Sequence, residues 1–333
     1  MGAETVPLLS VVIPMYNEQD AFPVMVKRLR PILDQLDETY EVLAVDDGSS
    51  DATFGVLQVM RRTWPQLRVI RLRRNSGHQA ALTAGLKQAY GSYVVSIDAD
   101  LQDPPEKISE MLRLAQRQGL DIVYGVRVDR SRDSWAKRST AGLYYRMMRR
   151  LAGVEVSRHA GDFRLLSRDA VEVLRNMPEH QPVYRLLVPW IGFPSGEVTY
   201  TREERAAGRT KYPLSKMVRL AADSVTNFSA APLRLATWLG LGSFVLCLLM
   251  LLGSVIAYVA GHTVPGWTSL LVAIMFLGAV QLLCLGLLGE YVGRIYSAIQ
   301  GRPSYFIGYD SARPQDYADR IGQQREETDY LPV

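Results

Sequence analysis

Leu8-Leu9-Ser10-Val11-Val12-Ile13-Pro14 is a short, almost unbroken run of apolar and β-branched residues. A strand with one wet face alternates polar and apolar residues; a continuous run suits a strand covered on both faces, as in a parallel sheet. Similar runs recur at Glu41–Val45, Leu67–Leu72, Tyr93–Ile97 and Asp121–Tyr124. Between them, apolar residues recur with helical spacing at Ala21–Leu36, Ala52–Thr63, His78–Tyr90 and Pro105–Gln118. Pro104-Pro105 marks a helix start, because proline in the first turn lacks only an N–H that has no partner there. Strand alternating with helix predicts a doubly wound α/β nucleotide-binding sheet, with ligands beyond the carboxyl ends of its strands.

The remainder of the chain reads differently. Leu235–Val259 and Ser269–Leu288 are apolar runs of at least about 20 residues, enough for a helix to cross a bilayer core of ~30 Å. Over all 333 residues the hydrophobic content is an ordinary 48%, so this signal is local. The net charge is +4. Basic residues gather at Arg127–Arg150 and Arg202–Arg219 among apolar ones, a pattern that suits phosphates and lipid headgroups and argues against nucleic acid as a partner. The two cysteines, Cys247 and Cys284, both lie in the apolar runs, which excludes a disulfide framework or a zinc site. No basic segment followed by a cleavable apolar stretch opens the chain, so no signal peptide is expected.

Ala141–Leu151 and Leu214–Phe228 mix Leu, Met and aromatic residues with arginine and lysine, and the second adjoins the first apolar run. They read as basic amphipathic helices lying in the headgroup plane. Lys216, Arg219 and Arg234 precede the first run and Arg294 and Arg302 follow the second, whereas Ala260–Thr268 carries no Lys or Arg. By the positive-inside rule this predicts a two-helix hairpin in an inner or plasma membrane, multi-pass, with both termini and the catalytic domain cytoplasmic. The expected organisation is therefore a soluble domain over 1–212, an interfacial helix over 213–231, a transmembrane pair within 232–300 and a cytoplasmic tail over 301–333. The tail after Gly308 is polar and charged and reads as poorly ordered. Glycines at 240, 242, 253, 278, 286 and 289 allow close helix contact or oligomer packing.

Two acidic motifs carry the chemistry. Asp46-Asp47-Gly48-Ser49 follows the second strand, where carboxylates can accept hydrogen bonds from a nucleobase N–H or from ribose hydroxyls; Ser50 or Asp51 reads as a cap for the helix after it. In Ser96-Ile97-Asp98-Ala99-Asp100-Leu101-Gln102, the period of two places Asp98 and Asp100 on one side, able to converge on a divalent cation. Mg2+ or Mn2+ bound there would neutralise a departing diphosphate. His78, in Asn-Ser-Gly-His-Gln, opens a helix and has two readings, a phosphate contact and a satisfied structural histidine, of which the second is favoured. His159, His180 and His262 form no triad or metal pattern, and no nucleophile elbow or P-loop occurs.

Val11–Glu18, Asp46–Ser49, Asn75–Gly77 and Asp98–Pro105 together resemble the family-2 glycosyltransferases of GT-A fold. Gly161-Asp162-Phe163-Arg164, Arg205–Tyr212 and Gly286–Tyr296 narrow the resemblance to the polyprenyl-phosphate glycosyltransferases. That group includes bacterial undecaprenyl-phosphate glucosyl- and aminoarabinosyl-transferases and, more distantly, dolichyl-phosphate mannose synthase. The resemblance implies that Pro14, Tyr16 and Glu18, with Asp46 or Asp47, hold the nucleoside. It implies that Asp98, Asp100 and Gln102 hold metal, diphosphate and sugar, with Asp98 and Asp100 the metal ligands. Arg127, Arg138, Arg205 and Lys211 would bind phosphate, of donor or of lipid. Asp162, with Asp100 and Gln102, is expected at the catalytic centre, as a base or as an orienting group. The implied reaction is inverting transfer of a sugar, glucose favoured, from a UDP-sugar to polyprenyl phosphate, by a homo-oligomer for which the resemblance favours a tetramer. A GDP-mannose-dependent transferase, a processive polysaccharide synthase and a non-catalytic membrane scaffold are the competing readings.

Overall fold

The computed structural model describes residues 6–127, 160–179, 182–201, 231–260 and 266–312. The interfacial helices expected at Ala141–Leu151 and Leu214–Phe228 lie outside them. The chain divides into two compact units, one of residues 1–145, 154–211 and 303–333, the other of residues 146–153 and 212–302.

The first unit opens with the expected alternation. Strands β1 (Leu9–Met15), β2 (Tyr40–Asp46), β3 (Leu67–Leu72) and β4 (Tyr93–Ser96) alternate with helices α1 (Ala21–Asp34), α2 (Thr53–Thr63) and α3 (His78–Gln88). Helix α4 (Lys107–Gln118) leads to β5 (Ile122–Arg127). Then come β6 (Ala160–Ser167), α5 (Arg168–Asn176), α6 (Tyr184–Trp190) and β7 (Ser195–Tyr200). The eight-stranded sheet has the order β7-β5-β6-β4-β1-β2-β3-β8, where β8 is Ile307–Asp310. All seven residues of β1 are buried, as a run without alternation requires. Along α1, Phe22, Met25, Leu29 and Leu33 face the core at spacings of three and four, and Ile108, Met111, Leu112 and Ala115 do so along α4.

β1 pairs in parallel with β2 and β4, and β2 with β3. The chain steps outward from β1 to β3, then crosses back to β4 on the other side of β1. This reversal opens a crevice at the carboxyl ends of β1 and β4, the place where open α/β sheets bind ligands. Helix α3, which makes the crossing, is buried along Ala80–Leu86. A Cβ on Gly85 would stand 2.2 Å from Val12 Cγ1, so the glycine lets α3 lie directly on β1.

Three features depart from the sequence reading. The sheet is mixed rather than parallel, because β6 inserts antiparallel between β4 and β5. The segment after Gly308 does not begin as a disordered tail: β8 pairs antiparallel with β3, and the Ser311 amide donates to Val69 O. Arg68 and Asp310, both nearly buried, clamp this edge through Nε and Nη2 at 2.9 and 2.6 Å. Finally, the apolar helices α7 (Ala231–Val259) and α8 (Trp267–Ile299) outrun the expected spans.

In the second unit α7 and α8 pack as a hairpin, with Cys284 Sγ 3.5 Å from Ala236 O. Ala273–Ile299 is long and apolar enough to cross a membrane by length and composition; within the described part of α7 the marked apolar stretch is the shorter Ala236–Leu246. Large side chains such as Phe244, Ile256, Met275 and Leu282 are exposed, a surface that suits lipid better than water.

Candidate active site

One wall of the crevice is made by the loops after β1 and β2, stitched together. Asn17 N donates to Ser49 Oγ and Ser50 N to Asn17 Oδ1, both at 2.9 Å, and Glu18 N donates to Thr53 Oγ1. Asp51 accepts from Thr53 N at 3.0 Å in the turn before α2, whose N-cap is Ala52 and not the Ser50 or Asp51 expected. Gly48 has φ 66°, and a Cβ there would stand 2.7 Å from the Arg74 carbonyl carbon, so the turn requires glycine. Tyr16 is half-exposed at the rim and Pro14 is buried in β1.

The two aspartates of this turn have different occupations. Asp47 accepts the amides of Ser76 and Gly77 at 2.7 and 2.8 Å, one on each oxygen. Burial pushes its carboxyl up against the pull of those two amides. Asp47 thus fixes the loop that delivers α3 and has no oxygen without a partner. Asp46 accepts Ser49 N at 2.9 Å on Oδ1. Its buried Oδ2 is ion-paired with Arg71 Nε at 3.2 Å and accepts no hydrogen bond among the described residues.

The opposite wall follows from the β4–β6 register. Ser96, the last residue of β4, pairs with Arg164 in antiparallel sense; Asp98 lies two residues beyond it in the loop, not on the strand as the period of two supposed, and Asp162 lies two residues before Arg164 on β6. An irregularity in the β5–β6 pairing spans Gly161–Phe163, as is common where a strand re-aims a side chain. Ser96 Oγ donates to Asp162 O at 2.5 Å. After Asp98 the chain turns at Leu101, buried with φ 59°, and Gln102 N donates to Asp100 Oδ1 at 3.1 Å. A left-handed leucine costs of order 1–2 kcal/mol and presents Asp100 and Gln102 on a tight loop.

Asp162 lies among three cations. Arg164, fully buried, reaches its Oδ1 with Nη2 at 2.6 Å and also donates to Tyr184 O and Gly161 O. His78 Nε2 and Arg185 Nη2 approach Oδ2 at 3.6 and 3.7 Å. His78 Nε2 is also 3.8 Å from Asp98 Oδ1. Burial alone would raise the Asp162 carboxyl, but His78, Arg164 and Arg185 hold it well below the usual carboxylate range. Burial pushes Asp98 up to about 6; His78 opposes the rise and the Asp162, Asp103 and Asp100 carboxylates add to it.

Among the described residues no three acidic, histidine or cysteine side chains form a preformed metal cage. Asp98 and Asp100 are two carboxylates in a crowd of negative charge. That donor set fits a hard cation which keeps several waters and completes its shell with substrate phosphates.

Arg127, expected to bind phosphate, is engaged elsewhere: Nη2 donates to Asp103 Oδ1 and Nε to the Tyr200 hydroxyl, both at 3.1 Å, while that hydroxyl donates to Asp103. Arg138, Arg205 and Lys211 lie outside the described residues. Arg185 has no role in the sequence reading, Arg164 enters it only within the Gly161–Arg164 motif, and His78 is read there as structural, with a phosphate contact as the alternative. His78 owes its position to the start of the crossing helix, which brings it to the carboxyl edge of the sheet.

Residues 10–175 match the family described as Glycosyl transferase family 2, and residues 231–295 match the GtrB C-terminal hairpin. The chain is 40% identical over 299 residues to the uncharacterized glycosyltransferase YkcC of Bacillus subtilis, covering 90% of this chain and 92% of that one. It is 39% identical over 302 residues to the SfII prophage-derived bactoprenol glucosyl transferase of Shigella flexneri, covering 90% and 97%. Among solved structures, the mannosyltransferase PcManGT of Pyrobaculum calidifontis aligns over 85% of this chain and 88% of its own with a TM-score of 0.45 and 18% identity. The chain belongs to glycosyl transferase family 2. It is a glycosyltransferase whose GT-A α/β domain is followed by a GtrB-type hairpin.

Proposed function

We propose that this enzyme transfers glucose from UDP-glucose to a polyprenyl phosphate, with inversion at the anomeric carbon. The observation that carries the acceptor and the sugar is the likeness, over 97% of its length, to a bactoprenol glucosyl transferase. The GtrB-type hairpin supports a lipid-borne acceptor. On this reading an oxygen of the lipid phosphate attacks the anomeric carbon, the bond to the nucleotide's β-phosphate oxygen breaks and UDP leaves.

Asp46, whose Oδ2 accepts no hydrogen bond among the described residues, is the better candidate for the nucleoside, alongside Pro14, Tyr16 and Glu18 in the same wall; Asp47 shapes the loop. Asp98 and Asp100 would hold Mg2+ or Mn2+, which when bound neutralises charge on the leaving diphosphate. Gln102 stands on the same loop for the sugar and diphosphate. A phosphate monoester has its second pKa near 6, so the acceptor is mostly a dianion at neutral pH and needs no strong base. Asp162, held ionised by its cations, is a weak proton acceptor and orients the acceptor or a sugar hydroxyl instead. Catalysis then rests on positioning and on electrostatic stabilisation of the leaving group.

The distribution of Lys and Arg supports a membrane hairpin with both termini and the catalytic domain on the cytoplasmic side. The expected homo-oligomer is supported by the glycines of α7 and α8, several of which have open space around them.

Full-length protein in detergent, given a panel of nucleotide sugars, a short polyprenyl phosphate and Mg2+ or Mn2+, tests the proposal. UDP-glucose should be consumed to yield a glucosylated lipid. Preference for GDP-mannose would overturn the donor assignment, and donor turnover without a lipid product would overturn the acceptor.

A further inference from the structure

Four carboxylates and four cationic side chains meet at the carboxyl edge of β4, and among the described residues two of the four make no side-chain hydrogen bond or ion pair closer than 3.6 Å. Asp103 is matched by Arg127 at 3.1 Å, and Asp162 by the buried Arg164 at 2.6 Å. Asp98 and Asp100 fit a divalent cation. His78 and Arg185 remain. They come from different elements, the first residue of α3 and the second of α6, and converge on the same oxygen, Asp162 Oδ2, at 3.6 and 3.7 Å. Both distances exceed a hydrogen bond. Both side chains are well exposed, 40% and 44%, so neither is held by packing as Arg164 is. Arg164 engages the other oxygen of Asp162, and His78 and Arg185 stand by Oδ2 at looser distances.

Two exposed donors beside one carboxylate oxygen, with His78 Nε2 also 3.8 Å from Asp98 Oδ1 of the metal-fitting pair, have the geometry of an oxyanion site. An imidazole can donate from Nε2 whether neutral or charged, and a guanidinium offers a permanent charge and a fork that matches phosphate oxygens. We infer that His78 and Arg185 form a phosphate-binding pair on the Asp162 side of the crevice, with Asp162 holding the two donors apart and aimed. The inference rests on the proposed glycosyl transfer, which supplies two phosphate sources, the donor's diphosphate and the acceptor's phosphomonoester. The sequence reading sought these contacts in Arg127, Arg138, Arg205 and Lys211, of which Arg127 alone is described and bonds to Asp103 and Tyr200.

The test is steady-state kinetics of the full-length protein, with H78A, R185Q and R185K assayed against UDP-glucose and against a short polyprenyl phosphate in separate titrations. Both positions are exposed, and thermal melting of each variant should match the parent. H78A and R185Q should each raise the KM for one phosphate substrate about tenfold or more, the loss expected for a charge-assisted hydrogen bond. R185K, which keeps charge but loses the fork, should recover part of it. A rise confined to the lipid assigns the pair to the acceptor, and one confined to UDP-glucose assigns it to the diphosphate. A fall in kcat with both KM values unchanged would overturn the inference, leaving the two residues as supports of Asp162. An inactive parent protein would instead refute the glycosyl transfer itself.

Discussion

Arg164 Nη2 stands 2.6 Å from Asp162 Oδ1 with its guanidinium 2% exposed, so the carboxylate at the centre of the site is set by a cation that solvent never reaches. The same guanidinium donates to the carbonyls of Gly161 and Tyr184, which ties the irregular stretch of β6 to the start of α6. Removing one partner of a buried pair leaves the other uncompensated and costs about 3–5 kcal/mol. Arg164→Met should lower stability by about that amount in urea unfolding. Any folded fraction should lose transfer while still binding UDP through the β1–β2 wall. Stability within about 0.5 kcal/mol of the parent would show that the pair contributes little.

Asp100→Asn should reduce transfer at least ~100-fold, because a neutral amide is a poor ligand for a hard cation and the metal's stabilisation of the leaving diphosphate is worth several kcal/mol. Nucleotide binding should lose its dependence on added metal in isothermal titration. Near-normal turnover that still requires metal would remove Asp100 from the metal site.

Much of the first 127 residues is legible in the sequence, and the reason is local. The β3 run Leu67–Leu72 is observed as read, and α1, α2, α3 and α4 differ from their expected limits by no more than two residues at either end. Buried parallel strands and amphipathic helices declare themselves through nearest neighbours along the chain. The mixed sheet does not. That β6 lies between β4 and β5 is a matter of partners far apart in sequence, and Ala160–Ser167, with Asp162 and Arg164 in it, carries no uniform run. The same limit hid the partners of His78, which stands 20 residues from Asp98 and 84 from Asp162 in sequence and meets both only because α3 crosses back over β1. Asp46 and Asp47 were legible as a pair, but their division of labour depends on the amides of Ser76 and Gly77.

The edge strand β8 gives a prediction about stability alone. Arg68 and Asp310 are 9% and 7% exposed and joined by two hydrogen bonds, and Arg68 also donates to Gln88 O at the end of α3. Asp310→Asn should cost about 3 kcal/mol, since Arg68 stays buried without a charged partner. The loss should persist in high salt, because a buried pair is little screened. A loss below about 0.5 kcal/mol, or one that disappears in salt, would show the pair to be solvated.

The proposed topology is tested by labelling in intact cells, with Cys247 and Cys284 replaced. A cysteine at His262 should react with an impermeant thiol reagent from outside, and one at the exposed Glu38 should react only after lysis. Ser311 is unsuitable as a reporter because it is buried against β3. The reverse pattern would place the catalytic domain on the outer side, away from cytosolic nucleotide sugars.

The central claim is that a lipid phosphate takes the sugar and the nucleotide departs as its diphosphate, and the products of one incubation test it most directly. Full-length protein supplied with UDP-glucose and a short polyprenyl phosphate should release UDP. Mass spectrometry should find the glucosylated lipid carrying a single phosphorus, and proton NMR should show an anomeric configuration inverted from that of the donor. Release of UMP with a diphosphate-linked lipid would mean that the phosphosugar, not the sugar, is transferred. Release of UDP with free glucose would mean that water is the acceptor. Either result would contradict the account.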